Sequence, residues 1–128
     1  MTEPTAAVTT AVDAVREHFA GKPVEVTPDG AGGAFVTVND IEIGPGYIPS
    51  TTWLGFQISA AYPCADVYPH YTGRLTRTDG QPHGPAIQQV DWQNRPAMQL
   101  SRRSNGWQAG IDNAALKAEK VITWLVTQ

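Results

Sequence analysis

Cysteine occurs once in this chain, at Cys64, and a single thiol rules out an internal disulfide framework or a cysteine-rich zinc site. Charge is also scarce. Charged residues make up 16% of the chain and sum to −3, so there is no basic field able to neutralise a run of phosphates. The densest basic spot is Arg102-Arg103, with Arg74, Arg77 and Arg95 scattered upstream. Nucleic acid is accordingly not an expected partner. No apolar run approaches the roughly 20 residues that span a bilayer. The first residues also lack the basic-then-apolar order of a secretion signal. The expectation is a soluble, cytoplasmic protein with no membrane contact. Gly30, Gly32 and Gly33 do not make a phosphate loop, because no lysine follows in the required place and no helix starts there.

The 128 residues fit one domain, 1–128, since two would leave each core too small to hold a fold. Hydrophobic residues, at 41%, suffice for that core. The 12 glycines and 10 prolines favour short strands and turns over a helical bundle. Spacing predicts a helix over 2–21: Val8, Val12, Val15 and Phe19 share one face, and Asp13, Arg16 and Glu17 lie opposite. Pro4 suits its first turn, and Gly21 with Pro23 stops it.

Strand character follows. Val24 and Val26 alternate with polar residues before the turn at Pro28-Asp29-Gly30, and Ala34 to Val38 is rich in β-branched side chains. Asn39-Asp40 is predicted as a turn before Ile41 and Ile43. Thr51 to Ser59 forms a further strand with Leu54, Phe56 and Ile58 on one face. Tyr62-Pro63 and Tyr68-Pro69 force extended backbone on each tyrosine, so Ala60 to Pro69 is predicted as a non-helical crossing segment. Tyr71 to Thr78 and Ala86 to Trp92 are expected to pair as a hairpin through Asp79-Gly80, with Asn94-Arg95-Pro96 ending the second strand. Met98 to Arg102 is a short extended piece. The last segment, Asp112 to Thr127, is predicted as a helix capped by Asp112, burying Leu116, Ile122, Leu125 and Val126. Helices flanking an antiparallel meander of about four strands define an α+β fold, with the C-terminal helix packed on the sheet.

Two stretches carry a family resemblance. Phe56-Gln57-Ile58-Ser59-Ala60-Ala61-Tyr62-Pro63, followed by Tyr68-Pro69, resembles the strand and Tyr-Pro segment of the ubiquitin-conjugating (E2) superfamily. Met98-Gln99-Leu100-Ser101-Arg102-Arg103-Ser104-Asn105-Gly106-Trp107, leading into Ile111 and the last helix, resembles the active-site stretch and downstream tryptophan of those proteins. In element order the resemblance runs from Thr5 to Leu125, and prokaryotic E2 family E is the nearest likeness. It implies a component of a bacterial ubiquitin-like conjugation pathway. The expected partners are a ubiquitin-like protein and an E1-like adenylating enzyme, with no cofactor. The likeness also implies a nucleophilic cysteine eight residues before the tryptophan, and here that position is Gln99. An amide cannot enter thioester exchange. The upstream His-Pro-Asn element is missing too, with Gln89 to Gln93 in its region.

Other residues are therefore the candidates for chemistry. Ser101, two positions after Gln99, shares its side on an extended segment and carries a hydroxyl that could hold an acyl group as an oxyester. Such a serine needs a base, which Arg102 and Arg103 do not supply; its bland alternative is a hydrogen bond within the loop. Cys64 with His70 is the one cysteine–histidine pair close in sequence, and a buried filler role is the alternative. Arg102 and Arg103 are expected to hold an acyl carbonyl or a partner's tail, and Trp107 to pack this loop against the last helix. His18, His70 and His83 offer no metal-ligand spacing on a helix, and no metal site is expected. A non-catalytic module that binds a ubiquitin-like protein or E1-like partner is the competing reading. Both rest on the segment ending at Trp107 lying beside Tyr62–Tyr68.

Overall fold

Thr5 starts the first helix: its hydroxyl accepts from the Val8 amide at 3.2 Å, satisfying one free donor of the first turn. The computed structural model describes residues 3–102, 106–109 and 113–128. Helix α1 is Ala6–His18, so Pro4 stands just outside it. Val8, Val12 and Val15 are buried, and Phe19 joins them at the C-cap.

Among the described residues eight strands follow, twice the number expected: β1 Val24–Pro28, β2 Ala34–Glu42, β3 Tyr47–Ile48, β4 Thr51–Ile58, β5 His70–Thr72, β6 Thr76–Arg77, β7 Ile87–Trp92 and β8 Arg95–Leu100. Six of them build one sheet in the order β1-β2-β4-β5-β8-β7, antiparallel throughout. The remaining two, β3 and β6, pair separately.

Three expectations about the strands are corrected. Asn39-Asp40 is not a turn. The strand continues through it as a bulge, with Asp40 at φ 59° and a register shift between Val38 and Ile41. The stretch Tyr71 to Thr78 does not pair with Ala86 to Trp92. It divides at Gly73 into β5, inside the large sheet, and β6, beside β3. The hairpin is instead β7–β8, turned by Gln93 and Asn94, whose φ values of 52° and 63° give the two-residue turn that matches strand twist. Pro96 therefore lies inside a strand. It is tolerated because its missing N–H points toward β5, whose pairing with β8 covers only Met98 to Leu100.

Helix α2 is Ala114–Val126, with Asn113 as its cap: the Asn113 side chain accepts from the Leu116 amide at 2.9 Å. Asp112, the expected cap, lies outside the described residues. The buried face of α2 is also displaced from the expected one. Leu125 is buried as expected, but Leu116 and Val126 are 45% and 49% exposed, and Ala114, Ala115, Lys117, Ala118 and Val121 face inward. Ala114, Ala115 and Ala118 take inward positions instead, and α2 packs beside α1.

Both helices contribute to one core against one face of the sheet. Paired residues share a face, so a single row crosses all six strands on that side: Val26, Val36, Phe56, His70, Leu100 and Ile87. The neighbouring row on the outer face is Glu25, Thr37, Gly55, Tyr71, Gln99 and Gln88. There Trp92 stacks on Tyr71 and Trp53 at ring separations of 4.8 and 5.8 Å, with Phe35 edge-on and the Arg95 guanidinium 3.7 Å from the Trp53 ring. Trp92 is only 8% exposed on a face that no helix covers.

Candidate functional site

Strand β8 delivers the candidate residues. Gln99 lies between Tyr71 on β5 and Gln88 on β7, on the outer face. The Ser101 amide donates to the Ala86 carbonyl at 2.8 Å, extending the ladder by one residue. Gln99 and Ser101 do share a side: the Gln99 Nε2 donates to the Ser101 Oγ at 3.2 Å. That bond is of the structural kind, and it brings no proton acceptor to the serine. Arg102 turns the other way. Its amide closes a turn on the Leu100 carbonyl, and its guanidinium sits 5.8 Å from the Trp124 ring of α2. Arg103 lies outside the described residues.

The second group gathers around the crossing segment, where Trp107 lies against Tyr62 and Pro63. Trp107 Nε1 donates to the Pro63 carbonyl at 2.8 Å, and its ring lies edge-on to Tyr62 at 6.3 Å. The Tyr62 hydroxyl in turn accepts from the Ala114 amide at 3.3 Å, in the first turn of α2. Lys117 of α2 reaches Asp66 with both carboxylate oxygens at 3.0–3.1 Å, although the lysine side chain is only 3% exposed. Burial lowers the Lys117 pKa from its ordinary value, and the Asp66 carboxylate works against that shift. Sequence reasoning missed Asp66, Lys117 and the Tyr62 hydroxyl. Lys117 was legible in principle, because it shares a helical face with Ala114, Ala118 and Val121.

Cys64 and His70 are placed very differently from one another. Cys64 is exposed in the turn after Pro63, whereas His70 is fully buried against Phe56, with ring centroids 5.1 Å apart. Neither His70 nitrogen has a hydrogen-bond partner among the described residues. Burial first, then the Lys117 charge, lower its pKa to about 3, against a smaller opposing effect of Asp66. The imidazole is thus neutral, and no hydrogen bond joins it to the thiol. His83 is remote in role: its Nε2 bonds the Leu75 carbonyl at 2.8 Å and its ring stacks on Tyr47. Among the described residues no group of His, Cys, Asp or Glu is arranged to hold a metal ion.

No described helix is long and apolar enough to cross a membrane. Comparison of the chain with protein-family models, curated proteins and solved structures found no match.

Proposed function

We propose that this protein is an E2-like binding module of a ubiquitin-like conjugation pathway, which positions the modifier's C-terminus without forming a covalent bond to it. The observation that supports the reading is the hydrogen bond from Trp107 to the Pro63 carbonyl, which ties that tryptophan to the Tyr-Pro segment. Two further placements support it. The strands β1, β2, β4 and β5 follow one another across the sheet in chain order, as a meander between two helices requires. The β7–β8 hairpin then presents Gln99 and Ser101 beside them.

The preference for binding over catalysis rests on proton transfer. A hydroxyl nucleophile needs a base within hydrogen-bond reach. Ser101 receives a donor from Gln99 instead, and His70, the nearest histidine in sequence to Cys64, is buried with unpaired nitrogens. Incubation with a ubiquitin-like protein, its E1-like enzyme and ATP tests the choice by intact-mass spectrometry. The expected spectrum contains the unmodified chain alone. An adduct that disappears in Ser101→Ala or Cys64→Ala would establish acyl transfer and remove the binding-only reading.

A further inference from the structure

We propose that α2 is an acid-released lid over His70, which lifts away before the rest of the fold gives way. The His70 ring is fully buried in the core row, between Phe56 on β4 and Leu100 on β8. Both of its nitrogens lack a hydrogen-bond partner among the described residues. A ring so placed stays in the fold only while neutral, because a proton would put a charge where nothing bonds it.

Two charges act on that ring, Lys117 from α2 and Asp66 from the crossing segment. Both Asp66 oxygens are already bonded to Lys117, so the carboxylate is not spare to receive an imidazolium. The buried side chains of α1, β4 and β8 are not ionisable, and among the described residues no other titratable group faces the ring. A proton on His70 would therefore sit beside the Lys117 charge, and the element carrying that lysine is the one driven off.

Helix α2 is also the more lightly held of the two helices. Its buried side chains are three alanines, Lys117, Val121 and Leu125, whereas α1 and its cap bury Val8, Val12, Val15 and Phe19 beside one alanine. Alanine buries less carbon than valine or phenylalanine, so α2 gives up less on leaving. Its bonds to the Tyr62 and Tyr47 hydroxyls and to Asp66 are polar, and water can replace each of them. Once α2 lifts, the ring meets water and takes a proton at its ordinary pKa of 6.5; in the closed fold burial holds that value down to about 3. Between these limits each unit of acid favours the open form about tenfold.

Native-state hydrogen exchange on the intact chain tests this, with amide rates corrected for the pH dependence of exchange itself. Between about pH 7.5 and about pH 4.5 the opening constant of the α2 amides should rise roughly hundredfold. At the lower pH these amides should exchange faster than those of β2 and β4, and with a weaker dependence on added urea, as a partial opening requires. His70→Leu should abolish the rise. Amides of α2 that exchange in step with β2 and β4 overturn the proposal, as does an opening indifferent to pH or unchanged in His70→Leu. The native chain decides the matter even where that variant does not fold. Its His70 ring resonance should hold the neutral position down to about pH 4.5, and a ring that titrates near its ordinary value in the closed fold overturns the proposal.

Discussion

His70 sits at the centre of the core row with both nitrogens unpaired, a costly arrangement for a polar ring. The sign of its pH effect follows from its pKa of about 3 in the fold against an ordinary 6.5. The unfolded chain takes a proton near pH 6.5 that the folded chain refuses until about pH 3. Stability from this residue is therefore complete above pH 6.5 and is lost as pH falls through that window. At about pH 5 the loss is about 2 kcal/mol. His70→Leu should abolish it, so its urea midpoint should exceed the parent's at pH 5 by more than at pH 8. Parallel midpoints at the two pH values would contradict the buried neutral ring. Lys117 is a second buried cation-former, held by Asp66. Removing one partner leaves the other's charge uncompensated, so Asp66→Asn or Lys117→Met should each cost about 3 kcal/mol by urea unfolding. Joint replacement by Leu and Met should cost less than either alone. At this scale the sequence was hard to read, because burial of one histidine and one lysine depends on what the fold brings over them. The Gln99–Ser101 contact was legible, since residues two apart on a strand share a side.

Among the elements, the β7–β8 hairpin ties the outer face together. Its tip brings Trp92 onto Gly55, where a Cβ would overlap the Trp92 ring, and Arg95 onto Trp53. Gly55→Ala is expected to destabilise by about 1–3 kcal/mol, the cost of overpacking a tight contact. Adding Trp92→Leu should recover part of that loss in thermal unfolding. Equal losses in the single and double variants would show that the ring is not what Gly55 accommodates. A glycine inside a β-branched strand is a visible signal of close approach, but its partner, 37 residues away, is not visible in the local pattern. The hairpin itself was misread because Asn94-Arg95-Pro96 looks like a terminus, while the turn lies one residue earlier and the proline falls where no neighbour needs its N–H. Helix α2 shows a related limit. Its existence followed from spacing, but its buried face is set by alanines, which an apolar-residue count passes over in favour of Leu116 and Val126.

For the whole molecule, the α+β class, the terminal helices and the crossing segment were readable from periodicity and proline placement. The sheet order was not, because the position of β8 between β5 and β7 depends on long-range pairing. The result is a molecule with two unlike surfaces. One face of the sheet packs its core row against α1 and α2, and the other displays a ladder of aromatic rings. The crossing segment joins these surfaces at one end, where Tyr62, Pro63 and Trp107 meet. The proposed binding function needs this junction to hold a ubiquitin-like modifier without forming a covalent bond to it. Isothermal titration of the modifier tests that most directly, using the native chain, a Cys64→Ala/Ser101→Ala double variant and Trp107→Phe, which deletes the Nε1–H bond to Pro63. Equal affinity is expected for the first two, and roughly tenfold weaker binding for the third. No heat of binding with the native chain, or binding that vanishes with the two nucleophiles, would contradict it.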